Sequence, residues 1–322
     1  MPTRVSVAAA ARLHLGFFDM NGALGRRFGG LGLSIDAPAT RLTLEPAATT
    51  SVAGADAERA AMLLGRMVAA LAPGKHYRLV VDEAIPPHSG LGSGTQLALA
   101  IAAALRRLED LAQDTEADAE LLQRGARSGL GAGLFSRGGL VVDGGRGAAT
   151  RTPPVVARLP FPPDWRILLV RDPAAIGLHG AEERKAFAEL PPFSEADAGR
   201  LCRLVLMQAL PAAAEADFAA FGAAITQIQA VVGDYFAPAQ GGRRFTSVAV
   251  ERLLAGLAEA GATGIGQTSW GPTGFAFAPN EEEARRLAAR AREASESRGL
   301  AVSVVAGLDQ GAEIDAVYAR IA

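Results

Sequence analysis

The sequence predicts an α+β protein of two domains, and three observations carry that prediction. β-prone and helical segments interleave through the first half of the 322 residues. Five prolines fall between Pro153 and Pro163, a composition that resists helix and central strand alike and marks a connection between domains. The chain then ends on a strand, a helix and a strand. Dividing after residue 157 gives domains 1–157 and 158–322, each long enough to bury a core of its own.

In the first domain Val5–Leu15, Arg41–Glu45 and Tyr77–Asp82 read as strands. Gln96–Leu108 and Ala117–Arg127 read as helices, and Gly139–Asp143 as a further strand. In the second domain the apolar run Ile167–Val170 precedes helix-rich sequence from Ala181 to about Val232. Strands at Gly274–Phe277 and Ala301–Val305 then flank a helix that is specified at both ends. Asn280 caps it, Glu283 completes a capping box, the acidic run Glu281–Glu283 suits the positive helix end, and Gly299 stops it.

Composition excludes several partners. The 34 acidic and 32 basic residues give a net charge of -2, and neither sign forms a block able to neutralise nucleic acid or an anionic membrane surface. Cys202 is the sole cysteine, which rules out an internal disulfide and a thiolate zinc site and fits a reducing, cytoplasmic setting. Arg12 and His14 interrupt the N-terminal alanine run before it resembles a signal peptide, and the apolar stretch Leu97–Leu105 is far short of the roughly 20 residues that span a bilayer. No membrane association is expected.

The clearest chemical signal is Pro86-Pro87-His88-Ser89-Gly90-Leu91-Gly92-Ser93-Gly94-Thr95-Gln96, which follows a strand and feeds an alanine-leucine helix. Glycines let the backbone bend and aim N–H groups at an anion on the helix N-terminus. No lysine follows as in a Walker loop, and the dinucleotide spacing is missing. Gly90, Gly92, Ser93, Gly94 and Thr95 are therefore the candidate phosphate cradle, with His88 at its entrance.

Three further glycine-dense stretches stand out: Gly25–Gly32, Ser128–Gly139 and Gly266–Pro272. In this order and spacing, with the Pro-x-x-x-Gly-Leu-Gly-Ser loop, they resemble the GHMP small-molecule kinase superfamily over essentially the whole chain. Arg12-Leu13-His14-Leu15-Gly16, Asp19, Gly25-Arg26, Gly29-Gly30, Gln240-Gly241-Gly242 and Gln267-Thr268-Ser269-Trp270-Gly271-Pro272 look like one branch, the β-ribofuranosylaminobenzene 5′-phosphate synthases. The resemblance implies a left-handed βαβ N-terminal domain and a ferredoxin-like C-terminal domain. It also implies decarboxylating transfer of phosphoribose from phosphoribosyl pyrophosphate to 4-aminobenzoate or 4-hydroxybenzoate, in methanopterin-type cofactor synthesis, by a magnesium-dependent homodimer. Where the kinases usually carry a catalytic aspartate, this chain has Gly131, which cannot deprotonate an acceptor hydroxyl. An ATP-dependent kinase and a non-catalytic phosphate sensor are the alternatives.

From this resemblance and the residue types, Arg26 and Arg27 are expected to add bidentate charge to the phosphate site. Asp19, Asp143 and Glu182 are the candidate magnesium ligands, although aspartate is common at turns and glutamate at helix starts. His14 is read as a substrate contact or proton shuttle, or else as a histidine satisfied within the sheet. Trp270 is expected to stack on the benzoate ring or to lie in the core. Gln240, Gln267 and Ser269 are candidate substrate contacts. His179 is placed in a loop over the site.

Overall fold

The structure is a computed structural model that describes residues 1–178, 180–294 and 297–319. Strands β1 (Pro2–Asp19) and β2 (Arg26–Pro46) form a long antiparallel hairpin, followed by β3 (Ser51–Gly54), α1 (Ala57–Leu71) and β4 (Tyr77–Glu83). Helices α2 (Ser93–Leu108), α3 (Thr115–Leu121) and α4 (Leu130–Arg137) come next, then β5 (Leu140–Asp143), β6 (Arg146–Gly147) and β7 (Val155–Leu159). The second part runs β8 (Arg166–Arg171), α5 (Gly180–Glu189), α6 (Glu195–Leu204), a π-helical turn over Val205–Ala209, α7 (Leu210–Ala214) and α8 (Phe218–Phe236). It continues through α9 (Val248–Glu259), β9 (Thr263–Gln267), β10 (Thr273–Ala278), α10 (Glu281–Glu293), β11 (Ala301–Ala306) and β12 (Glu313–Tyr318).

The first sheet has the order β12-β1-β2-β4-β3, with β5 and β6 also pairing with β2, and β7 with β5. Helix α1 links the parallel pair β3 and β4. The second sheet, β11-β8-β10-β9, is antiparallel throughout. Its strands appear in the chain as β8, β9, β10, β11, giving the βαββαβ arrangement of a ferredoxin-like unit. Residues 157 and 158 both lie in β7, which completes the first sheet at Leu159, and β12 returns from the second part to pair with β1. One apolar cluster spans both parts, joining Leu13, Leu33 and Leu140 to Ile167, Phe221 and Phe275. The two domains therefore share a core as well as having separate ones under α1–α2 and α9–α10.

Helix α2 is the axis of the site. Its alanines and leucines are buried on nearly every side, against β1 and β2 and against α1, α3 and α4, which fixes its N-terminus in the middle of the molecule. Asn280 caps α10 as its sequence specifies, accepting the Glu283 N–H at 2.9 Å. The helix expected over Ala117–Arg127 and the stop expected at Gly299 both fail locally, α10 ending at Glu293 with Ala294 as its C-cap. Helix α3 ends at Leu121, six residues before Arg127, and Gln123 adopts φ +56° in the loop that follows. Helix α1 and strand β12 carry no capping or turn signal strong enough to announce them against the alanine-rich background.

Candidate functional site

The glycine turn is held by the second domain. Gly90 and Gly92 have φ of +81° and +87°, and Gly92 is the residue preceding α2. A Cβ on Gly90 would run into the Thr268 carbonyl oxygen, and one on Gly271 into Ser89, so two glycine turns lie back to back. The Gly90 carbonyl accepts from Arg12 Nη1 at 2.7 Å and from Thr268 Oγ1 at 2.9 Å. Thr268 Oγ1 in turn accepts the His14 N–H at 2.9 Å.

These contacts border a cavity of about 240 Å³ lined by Arg12, His14, Phe17, Thr95, residues 123–128, Gly131, Glu183 and Ser269. Arg12 and His14 stand two apart on β1 and so face the same side. Burial pushes Arg12 down to about 10, opposed by the field of Glu183. Burial, reinforced by Arg12, pushes His14 down to about 3. His14 Nδ1 accepts the Gly16 N–H at 3.3 Å, which places the neutral ring's proton on Nε2. Nε2 is buried without a partner. The neutral His14 ring thus keeps a buried Nε2–H donor with no protein acceptor, beside the Phe17 ring at 4.3 Å. Arg127 pairs with Glu183 at 2.6 Å and lies over the Phe187 ring at 5.0 Å.

The structure gathers some of the expected residues and disperses others. His14, Thr95 and Ser269 line the cavity, with Ser93 and Gly94 in the adjoining first turn of α2. His88 occupies an exposed corner of the preceding turn at φ +56°. Arg26 does not reach the glycine turn, because its guanidinium donates to the Gly144 and Gly145 carbonyls. Arg27 is likewise held by the Met20 carbonyl. Gln240 and Gln267 brace a loop: Gln267 Nε2 donates to Gln240 Oε1 at 2.9 Å, and Thr246 Oγ1 donates to the same oxygen. Trp270 is 5% exposed and packs on Phe236 and Phe187; the aromatic ring on the cavity wall is Phe17. His179 lies outside the described residues.

The three expected magnesium ligands do not converge. Asp19 Oδ1 accepts the Asn21 and Gly22 N–H groups at the end of β1, which is turn chemistry. Asp143 is wholly buried and accepts from Ser128 Oγ, Gly129 N and Gly145 N, fastening the 122–129 loop to β5. Burial raises its pKa against those hydrogen bonds. Glu182 lines a separate groove between α5 and Pro238–Ala239. These three carboxylates do not fit one metal ion, and among the described residues no group of three or more His, Cys, Asp or Glu side chains does.

Arg12, Phe17, Arg124, Arg127 and Glu183 are cavity residues that sequence reasoning did not assign. Alternation along β1 carries a signal for Arg12, since it shares a face with His14. Arg124 and Arg127 carried none, because their segment reads as a continuing helix.

Comparison with known proteins agrees with this architecture. The chain matches the GHMP kinases N terminal domain over residues 57–139 and the GHMP kinases C terminal domain over residues 209–297. It is 33% identical to the β-ribofuranosylphenol 5′-phosphate synthase of Archaeoglobus fulgidus over 284 residues, covering 83% of this chain and 85% of that protein. The chain belongs to the β-ribofuranosylphenol 5′-phosphate synthase family. A second family member, from Methanothermobacter thermautotrophicus, is 31% identical, covering 84% of this chain and 88% of that protein. Among solved structures, Lactococcus lactis galactokinase complexed with galactose superposes with a TM-score of 0.67 at 16% identity, covering 96% of this chain and 95% of that one. Staphylococcus aureus mevalonate diphosphate decarboxylase gives 0.64 at 14% identity, covering 98% of each chain. These two share the fold alone. No described helix is long and apolar enough to cross a membrane.

Proposed function

We propose that the cavity transfers phosphoribose from phosphoribosyl pyrophosphate to a para-substituted benzoate with loss of carbon dioxide, in methanopterin-type cofactor synthesis. The observation that carries this reading is Gly131. It lines the cavity, and a Cβ there would approach Thr95 Cγ2 to 2.7 Å. The wall thus lacks a carboxylate where the kinases of this superfamily place one, while anion-binding groups remain.

The reaction suits a site without a titrating base. The bond from ribose C1 to pyrophosphate breaks with its electron pair on oxygen, and the ring carbon bearing the carboxylate forms the new bond to C1. The ring-to-carboxylate bond then breaks, its electron pair restores aromaticity, and carbon dioxide leaves. No proton moves at the reacting carbons, so a histidine neutral down to about pH 3 is a fixed donor rather than a shuttle. In this reading the His14 Nε2–H donates to a substrate oxygen and Phe17 flanks the aromatic ring. Arg127 orients an anionic group, and Glu183 offers negative charge to the cationic centre developing at C1. Magnesium accompanying the pyrophosphate would take substrate oxygens and water for most of its ligands, since Glu183 is the one carboxylate among the lining residues. The relatives' names contain a phenol, which favours 4-hydroxybenzoate over 4-aminobenzoate.

The test supplies phosphoribosyl pyrophosphate, magnesium and either carboxyl-labelled benzoate, and measures carbon dioxide and pyrophosphate together. Equal release of both, dependent on both substrates, is expected. No release from either benzoate by folded protein rejects the reading, and ATP consumption on addition of an alcohol would replace it with a kinase.

A further inference from the structure

The cavity is small for its proposed contents. Its volume of about 240 Å³ lies below the roughly 300–1,000 Å³ of ordinary small-molecule sites. On the transferase reading it receives a ribose bearing three phosphate groups together with a benzoate, so one wall must yield. The wall that yields is α5, which contributes Glu183. No described residue of α5 is fully buried, whereas α8, whose Phe236 it touches, buries seven. An open groove of about 380 Å³ separates α5 from Pro238 and Ala239.

Phe187 joins the helix to the body. Its ring meets those of Phe17, Phe28, Phe236 and Trp270 at centroid distances of 5.6–6.4 Å, yet the residue is only half-buried. Glu183 pairs with Arg127 at 2.6 Å, both side chains remaining in reach of solvent, where an ion pair contributes little. The flanks are held more firmly. Before α5, a Cβ on Gly177 would run into the Trp270 carbonyl oxygen, so the chain lies tight against that turn. After it, Phe193 is 3% exposed, packs on Tyr235 at 4.8 Å, and accepts Asn21 Nδ2–H on its carbonyl at 2.7 Å. Between these anchors Gly180 takes φ +59° with open space around it, and Pro191-Pro192 follows the helix. A helix anchored at both flanks and weakly attached between them opens at lower free energy than the body.

We propose that α5 is a lid over the cavity, with Phe187 as its latch. The helix swings away from Phe17 and Trp270 to admit ligands, and its return seats Phe187 and brings Glu183 to the cavity wall. Phe187 is thus a positioning residue for Glu183, which lies one helical turn before it on the same face. The identity of the ligands that pass the lid, a phosphoribosyl donor and a benzoate, rests on the transferase reading.

Hydrogen exchange read by mass spectrometry on the whole protein tests this. Without ligand, α5 amides are expected to exchange at least about a hundredfold faster than those of α8. Phe187→Ala is expected to speed α5 exchange by roughly tenfold more, while α8 exchange and the denaturation midpoint keep their wild-type values. Phe187→Leu keeps an apolar latch and is expected to fall between. Saturating phosphoribosyl pyrophosphate with magnesium is expected to slow wild-type α5 exchange by about tenfold. Exchange in α5 as slow as in α8 overturns the proposal. So does a Phe187→Ala protein that fails to fold, or in which α8 and the midpoint shift along with α5, because the helix then belongs to the cooperative core. Unchanged α5 exchange in Phe187→Ala overturns the latch, and donor binding, read by calorimetry, that leaves α5 exchange unchanged overturns the lid. Fast, Phe187-dependent α5 exchange in a protein that binds no donor leaves the lid standing and removes the transferase. Carbon dioxide release by protein whose α5 exchanges as slowly as α8 removes the lid and leaves the transferase.

Discussion

Thr268 Oγ1 donates to the Gly90 carbonyl at 2.9 Å while accepting the His14 N–H at 2.9 Å, so one hydroxyl of the second domain fixes both the glycine turn and strand β1 of the first. Thr268 is wholly buried. Replacing it by valine keeps the shape but leaves the His14 N–H unpaired, while Gly90 retains the Arg12 bond. Thr268→Val is expected to lower stability by about 1–3 kcal/mol in chemical denaturation. Carbon dioxide release is expected to fall with it, because turn and strand lose their common register. Wild-type stability would mean that water replaces the hydroxyl.

His14 gives the protein an acid-sensitive element with a definite sign. An unfolded histidine takes up a proton below about pH 6.5, whereas native His14 stays neutral to about 3. The unfolded state therefore binds more protons in this window, and stability falls as pH drops from 6.5 toward 3. The contribution is constant above 6.5. Other groups titrate here too, so the readout is the difference between wild type and His14→Asn, whose amide oxygen can take the place of Nδ1 toward Gly16. Denaturation curves at a series of pH values should show the wild type losing roughly 1.4 kcal/mol more per pH unit than the variant. Parallel curves would show that His14 becomes protonated in the native state at ordinary acidity.

The glycine turn, the capped helix α10 and the strand bearing His14 were legible because each is written in local chemistry: φ-permissive glycines, an Asn-x-x-Glu box, and alternation. Arg26, Arg27, Gln240 and Gln267 do not line the cavity; their polar groups are taken up by backbone carbonyls and by one another, Arg26 reaching 118 positions along the chain to Gly144 and Arg27 turning back seven positions to Met20. Glu183 and Arg127 lie 56 positions apart and meet only because α5 folds across the 122–129 loop. The sequence also hides that loop, since its alanine and arginine residues are good helix formers, yet the chain leaves the helix path at Gln123, whose φ is +56°, and Asp143 then holds Ser128 and Gly129. Trp270 stood in a polar, glycine-rich turn, yet its ring closes the shared aromatic core with Phe236 and Phe187.

Gly131 carries the proposed difference from a phosphoryl-transfer centre, and its space is testable. A Cβ there would meet Thr95 Cγ2 at 2.7 Å, closer than side-chain carbons pack. Gly131→Ala is expected to cost about 1–3 kcal/mol by overpacking and to reduce turnover. The double variant Gly131→Ala, Thr95→Ser removes the opposing methyl and should recover stability. Gly131→Asp is expected to gain no ATP-dependent activity. Gain of such activity would mean that the loss of one carboxylate is all that separates this site from a kinase.

Glu183 is the carboxylate on the cavity wall, and its pairing with Arg127 admits two roles that kinetics separates. If it only neutralises Arg127, Glu183→Gln frees a guanidinium, and affinity for the anionic donor rises while kcat changes little. If it faces the cationic centre at ribose C1, the neutral amide removes charge stabilisation that exists only in the transition state. The second outcome is expected: kcat for carbon dioxide release falls by about a hundredfold while donor KM stays the same or drops. Arg127→Ala provides the complementary measurement, because it leaves the carboxylate in place and removes the group that orients the anionic partner. Its expected effect is on KM for the benzoate, with a smaller loss in kcat, and a variant pair with interchangeable effects would show that the ion pair acts as one structural unit.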